Sequence, residues 1–485
     1  MSYLELLKLA APEAIVVVTA LAVLTIALTT RRALVLGPIV AVLGVAVAIV
    51  AVVMLPSHAN LFSGMLVISP LNSLFKIICL ALALATVPLV SSEKALPNPG
   101  EYIAVLLLGS VGLMLLVGSE ELLMIFIGLE LLGLSLYVLA AFDKADVHSA
   151  EAGLKYFLFG STASAFTLFG ISLIYGLSGT TALAAIGQKL TTLPLQPLFA
   201  VGIVMTLIGF AFKIAAAPFH LWAPDAYQGA PIPSAAFIAS GSKVASFVVL
   251  GKIVLIGFGP VHGSADWHAM IAGWSPVLAA LAAFSILLGN FVALAQTNVR
   301  RLLAYSAVAH GGYTLLGVVA GGREGFSATL FYTTTYAVTL IGAFAVVGAV
   351  RRETGGDDLQ NFAGLAARSP FLAACMAIFF LSLAGLPPLA GFFGKFYLFS
   401  AAFRAGGNHG LLWLVAIALF GSFVSLYYYL IVLKVIFVDQ KPESATAGDG
   451  PDFFSRITVT LLAAVVLVLG IMPQTLAAKI IASLP

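Results

Sequence analysis

The feature that most constrains this chain is a series of uninterrupted apolar runs. AIVVVTALAVLTIAL at 14–28 and LVLGPIVAVLGVAVAIVAVVML at 34–55 contain no charged residue. A helix crosses the hydrocarbon core of a bilayer with about 20 such residues. Strands of a membrane barrel would instead alternate apolar and polar over about 10 residues, and these runs do not alternate. Charged residues make up only 9% of the 485, against about 25% in a soluble domain. The sequence therefore predicts an all-α polytopic membrane protein.

Fourteen segments fit that length, near 11–29, 33–54, 71–90, 102–118, 121–141, 150–175, 197–222, 233–257, 270–296, 301–320, 325–350, 370–403, 411–437 and 455–478. The N-terminus, with Glu5 and Glu13 and no basic stretch before a cleavage site, reads as the first span rather than a removable leader. Basic residues in the connections set orientation. Arg31, Arg32, Lys94, Lys144, Arg300, Arg301, Arg351, Arg352, Arg368, Lys441 and Arg456 fall on one side; Lys8, Lys189, Arg323, Arg404 and Lys479 fall on the side of the termini. This bias predicts both termini on the periplasmic side of a bacterial inner membrane.

The remaining basic residues are Lys76, Lys155, Lys213, Lys243, Lys252, Lys395 and Lys434, all lysines inside spans. Lysine can lose its proton when desolvated, whereas arginine effectively cannot. Glu130, in MIFIGLELLGLSLY, is the acid nearest a span centre, with Glu120 and Glu121 at that span's edge. Intramembrane charges are expensive and usually functional. Glu130, Lys213, Lys243 and Lys395 lie deep enough for that reading. Lys76, Lys252 and Lys434 lie near span ends, where the stem can carry the ammonium to the interface. Lys155, about a turn and a half in, fits either account by position.

Two deep lysines adjoin helix breakers. In GFAFKIAAAPFHLWAPDAYQGAPIP, Pro218 interrupts the seventh span one turn after Lys213; in LSLAGLPPLAGFFGKFYLF, Gly385, Pro387 and Pro388 interrupt the twelfth before Lys395. Broken backbone at membrane depth persists only within protein or beside a wet cavity. Breaks five spans apart predict two five-helix units of opposite orientation, spans 4–8 and 9–13, as in transporters with inverted repeats. The predicted organisation is a three-helix segment at 1–100, units at 101–258 and 259–440, and a last helix at 441–485.

His220 follows Pro218, and His310 lies in the tenth span; neutral imidazole can relay protons. For His310, a hydrogen-bonded place in a helix interface accounts for the residue equally well. His58, His148, His262, His268 and His409 read as loop or edge residues, which disfavours paired haem ligands. Cys79 and Cys375 lie in apolar runs and offer no zinc pair or iron–sulfur set. Scattered basic residues argue against nucleic-acid binding. Tyr427, Tyr428 and Tyr429 read as packing or an interfacial belt.

The segment PFHLWAPDAYQGAPIPSAAFIASGSKVASF at 218–248 resembles the signature of the antiporter-like membrane subunits of respiratory NADH-quinone oxidoreductase (complex I). With NVRRLLAYSAVAHGGY at 298–313 and GLPPLAGFFGKFYLF at 385–399, it is most similar to the subunit N branch of that family. The resemblance implies fourteen helices with broken helices 7 and 12, and a proton-carrying polar axis. It also implies that Glu130 is the fifth-helix glutamate, Lys213 the lysine of the broken seventh helix, Lys243 the eighth-helix lysine and Lys395 the twelfth-helix lysine. Lys155 and His220 fall where the family has polar residues. Flavin (FMN), iron–sulfur clusters and quinone belong, by the same resemblance, to the complex as a whole, with no cofactor or metal in this chain. The implied partners are other membrane subunits of the complex and the lipid bilayer.

The expected function is proton translocation along Glu130, Lys155, Lys213, His220, Lys243, His310 and Lys395, coupled electrostatically to quinone reduction elsewhere. A subunit of a cation/proton antiporter or membrane-bound hydrogenase shares the fold, but PDAYQGAP and Lys395 favour the first reading. A stand-alone transporter would act without partners, a structural anchor would tolerate neutral replacements of the deep charges, and a haem protein would show a Soret band.

Overall fold

The computed structural model of the chain describes residues 3–30, 33–93, 96, 98–192, 196–405, 409–440 and 453–484. An N-terminal group comprises α1 (Tyr3–Leu9), α2 (Ala11–Thr29), α3 (Ala33–Val53), an antiparallel hairpin of β1 (Ala59–Leu61) and β2 (Leu66–Ile68), and α4 (Pro70–Ser92). Next come α5 (Pro99–Gly118), α6 (Leu122–Ala140), α7 (Val147–Ser178), the short α8 (Leu183–Thr192), α9 (Pro197–Lys213), α10 (Ala223–Gly229), α11 (Ile232–Phe237) and α12 (Lys243–Lys252). Two π turns, Ile238–Ser242 and Ile253–Gly257, flank α12 and complete one continuous span from α11. The chain continues through α13 (Trp274–Leu294), α14 (Val299–Ala320), α15 (Gly322–Thr354), α16 (Leu365–Arg368), α17 (Pro370–Ala384), α18 (Ala390–Arg404), α19 (Leu412–Phe437), α20 (Phe453–Ile471) and α21 (Gln474–Ser483).

Local signals account for many of these ends. Pro70, Pro99, Pro197 and Pro370 occupy first helical positions, where the missing N–H costs nothing. Glu121 and Asn298 cap α6 and α14 through their side chains. Gly179, Gly355 and Gly385 end helices in the left-handed region.

Among the described residues, eleven helical spans are long and apolar enough to cross a membrane, and α20 with α21 forms a twelfth, bent by 78°. The shorter α9 and α17 are the first parts of the two segments in which the sequence predicts a break. Every one of the fourteen predicted segments falls on a helix. Two differ in detail. The ninth starts at Trp274 because the preceding loop closes on itself through a Ser264–Ile271 bridge. The last bends sharply where Pro473 interrupts it.

Burial separates the centre from the rim. The Ile232–Gly257 and Val299–Ala320 spans are each 94% buried, whereas Leu34–Val53 is 28% buried. The centre is therefore where polar side chains escape lipid. Close approach depends on small residues; a Cβ at Gly312 on α14 would meet the Ala282 carbonyl of α13 at 2.7 Å.

Three expectations are corrected. Lys76 and Lys252 do not reach an interface; both are buried, Lys76 paired with Glu13 of α2 at 2.6 Å and Lys252 surrounded by oxygens of α4 and α5. Lys434, by contrast, is exposed, 3.8 Å from Asp439. Glu13 and Glu121 are buried carboxylates while Glu130 is only half-buried, and Arg300 is fully enclosed rather than a loop residue. Nearness to a span end measures depth, whereas burial depends on whether the lateral neighbour is lipid or protein. Of the residues used to orient the chain, Arg31, Arg32, Lys94 and Lys441 lie outside the described residues.

Candidate functional site

Helix α9 ends on Lys213 itself, one turn earlier than the proline alone requires. Ala215 adopts a left-handed φ of 58°, and Pro218 follows in the irregular stretch that leads to α10. The freed backbone groups are answered by side chains. Ser285 Oγ on α13 accepts from the Ala217 N–H at 2.9 Å, and the Trp222 indole donates to the Phe212 carbonyl at 3.1 Å. A helix end inside the bundle thus leaves few groups unpaired.

Lys213 and Glu130 line one cavity of about 20 Å³, together with Tyr137, Ser164 and Thr167. That is room for about one water. The Ser164 hydroxyl donates to the Glu130 carboxylate. The Lys213 ammonium stands 5.7 and 6.0 Å from the ring centres of Tyr156 and Tyr137, at cation–π range. Carboxylate and ammonium face the same space without an ion pair closing between them.

Lys243 follows the first π turn, and its ammonium donates to the Ala307 carbonyl of α14 at 2.5 Å. It also faces the Tyr336 ring at 5.4 Å. That ring is 4.9 Å from the His310 imidazole. His310 Nδ1 lies 2.5 Å from the Tyr332 hydroxyl, and Nε2 lies 3.3 Å from that of Tyr429. On its other side His310 packs 5.6 Å from Tyr313, whose ring the Lys395 ammonium approaches to 5.2 Å. Lys395, on α18 just past the second break, donates to the Ala384 carbonyl at 3.0 Å and to Ser422 Oγ at 2.9 Å. Lys243, His310 and Lys395 therefore form one enclosed row bridged by tyrosines.

His220 is buried in the first break with its ring 6.2 Å from that of Tyr305. Lys155 lies elsewhere: 38% of its side chain is exposed, and it pairs with Glu151 at 2.5 Å and Asp225 at 2.6 Å. Asp225 also binds Arg301 at 2.7 Å. Lys155 thus belongs to a surface ion network beside the break, outside the enclosed row. Among the described residues, no side-chain hydrogen bond joins Lys213 to Lys243, and no three His, Cys, Asp or Glu side chains gather as metal ligands.

The sequence reading missed the partners of these charges. Tyr428 and Tyr429 are buried, not interfacial: Tyr429 shares a hydrogen bond with Ser306, and Tyr428 donates to Asn290 at 3.1 Å. Tyr427 alone faces outward. Ser422, Ser425 and Tyr429 recur at the spacing of one helix face, as do Tyr332 and Tyr336. That periodicity of hydroxyls was the available signal.

Residues 119–425 match the family described as NADH:quinone oxidoreductase/Mrp antiporter, TM. The chain is 47% identical to NADH-quinone oxidoreductase subunit N 2 of Acidobacterium capsulatum, over 98% of each chain. It is similar to a chain of respiratory complex I from Thermus thermophilus, with 32% identity and a TM-score of 0.80 over 96% of this chain and 98% of that one. A chain of the Mrp complex from Dietzia sp. DQ12-45-1b matches at a TM-score of 0.85 with 21% identity, over 98% and 97%, a likeness of fold. Matched along almost its whole length, this multi-pass membrane protein belongs to the subunit N family of NADH-quinone oxidoreductase.

Proposed function

We propose that the chain is a proton-translocating subunit of an NADH-quinone oxidoreductase, working beside other membrane subunits of that complex in a bacterial inner membrane with both termini periplasmic. The observation that carries this reading is the enclosed Lys243–His310–Lys395 row, bridged by Tyr336 and Tyr313. Its counterpart is Lys213 facing Glu130 across a cavity at the first break. Within the row, protonatable groups are held out of lipid and linked through aromatic rings, which suits relay of protons.

In this scheme Lys213 takes up a proton while Glu130 faces it. Movement of the carboxylate away from the ammonium, or a change of charge in a neighbouring subunit, releases that proton toward Lys243. The amine of Lys243 becomes an ammonium, passes the proton to an imidazole nitrogen of His310, and recovers its free base. Lys395 accepts it in turn and delivers it to the far side. Redox chemistry, with flavin, iron–sulfur clusters and quinone, belongs to other parts of the complex. Lys155 and His220 serve the approach to Lys213 rather than the row itself. The two halves, 101–258 and 259–440, act as inverted units, with 1–100 and 441–485 flanking them.

The test is NADH-driven proton uptake into inverted membrane vesicles carrying Lys213→Met or Lys395→Met, with NADH oxidation and complex assembly measured alongside. Most uptake should be lost with the complex intact. Full uptake in both variants refutes the reading.

A further inference from the structure

A second group of buried charges lies outside this row, at the end of the bundle that holds the hairpin and the C-terminal helix. There the Glu120 N–H donates to the Gly64 carbonyl at 2.8 Å and the Leu183 N–H to the Glu120 carbonyl at 3.0 Å. These bonds fix the α5–α6 corner against the hairpin and α8. Lys252 reaches into the corner from the last turn of α12. Its ammonium binds Asn72 Oδ1 and, at 2.7 Å, the Val117 carbonyl, with the Glu120 carboxylate at 3.7 Å.

Two features separate this lysine from a simple structural pin. First, Lys252 and Glu120 both line a vestibule of about 720 Å³ enclosed by the hairpin, the start of α4, the end of the α12 span and Ala482–Leu484. The Glu120 side chain is 29% exposed and that of Lys252 only 2%, so the carboxylate is the more water-accessible of the two groups. Second, α12 carries a lysine at each end and a π turn beyond each lysine: Ile238–Ser242 before Lys243, Ile253–Gly257 after Lys252. Such turns are rare and concentrate at functional sites. The helical rise puts the two lysines roughly 14 Å apart along one span.

We propose that Lys252 and Glu120 form a proton-exchange port, through which the interior of the α12 span communicates with water at the face bearing the hairpin and C-terminal helix. The Lys252 ammonium gives its proton to the Glu120 carboxylate, which passes it to water in the vestibule. The amine left behind is reprotonated from the Lys243 side, which makes the port a second way out beside the one through His310 and Lys395. The port rests on the proton-translocation reading above and adds to it an exchange point on the eighth span.

The experiment compares Lys252→Met, Lys252→Arg and Glu120→Gln with Lys213→Met in assembled complex, reading proton uptake per NADH oxidised. Arginine keeps the charge but does not release a proton. The port therefore predicts that Lys252→Arg loses as much uptake as Lys252→Met does, with Glu120→Gln losing less. A purely structural lysine predicts that arginine restores wild-type uptake, and that result overturns the proposal. Normal uptake in Lys252→Met also overturns it. Lys213→Met separates the two levels: if it fails while the Lys252 variants pump normally, the port alone falls; if Lys213→Met and Lys395→Met both pump normally, the reading beneath falls too. Should the Lys252 variants not assemble, Leu255→Cys in the vestibule wall supplies an independent check. A membrane-impermeant maleimide should label it from one face only, over the low background of the buried Cys79 and Cys375. Absence of labelling shows a closed vestibule and overturns the port.

Discussion

At the first break, the Lys213 ammonium shares a cavity with a carboxylate, and the loosened backbone N–H of Ala217 is held by Ser285 of α13. At the second, the Lys395 ammonium is held by the Ala384 carbonyl and by hydroxyls of α19, and the Gly391 N–H is answered by Ser382 at 3.1 Å, within the same interrupted segment. Lys243 also reaches across, to Ala307 of α14. Proline marks both breaks in the sequence, but they differ in dependence. The first takes one of its closing groups, Ser285, from beyond the 259–273 loop, whereas the partners named for the second all come from within 259–440. A carboxylate gives the first a charge that can be switched; the second is a receptor built of neutral oxygens.

Removing the charges tests the difference between the two breaks most directly. Lys213→Met and Lys395→Met should each reduce coupled proton uptake by about a hundredfold, the lower end of the range for a lost acid–base group. A large loss in only one would show that the other lysine is a bystander. Glu130→Gln should come next, with a several-fold loss of uptake, because the switchable charge disappears while Ser164 still finds an oxygen to bind. An equal effect from Ser164→Ala would shift the role from the carboxylate to its positioning. Smaller again, Tyr332→Phe should lower uptake by roughly fivefold or less, the equivalent of one hydrogen bond of about 1 kcal/mol. Unchanged uptake would detach the Tyr332 hydroxyl from the row.

A separate effect concerns stability rather than uptake. Ser285→Ala leaves the Ala217 N–H unpaired in the interior and should cost about 1–3 kcal/mol. Ser382→Ala should cost a similar amount, since it leaves the buried Gly391 N–H at the first turn of α18 unpaired. Thermal unfolding of the assembled complex checks both. A larger loss from Ser382→Ala would reverse the assignment of which break leans on its neighbours.

Much of the fold could be read from the chain because lipid imposes length: each apolar run of about 20 residues became a helix. The breaks were legible for the same reason, as Pro218, Pro387 and Pro388 cannot continue an intrahelical ladder. Of the site, the deep charges stood out because they are rare in such runs. Their partners did not, because Ser422, Ser425, Tyr332 and Tyr429 look like ordinary residues of a membrane helix until the bundle turns them inward. Lys76 and Lys252 were misjudged because depth along a helix is visible in sequence and the identity of the neighbour is not. The bend before α21 escaped notice because Pro473 lies near the end of a run, where a helix would stop anyway.

The enclosed Arg300 has a consequence for how the chain can be divided. Its guanidinium binds the Tyr227 and Ala230 carbonyls at the end of α10, with Asp357 at 3.3 Å on its own side of the chain. A cut in the 259–273 loop would place those carbonyls, Ala217 and Lys243 on one fragment, and Arg300, Ser285 and Ala307 on the other. Each fragment alone would carry desolvated polar groups whose partners had been left behind. Separately synthesised pieces should be degraded, and co-synthesised pieces should complement each other, so the two halves behave as a single heritable unit however similar their outlines.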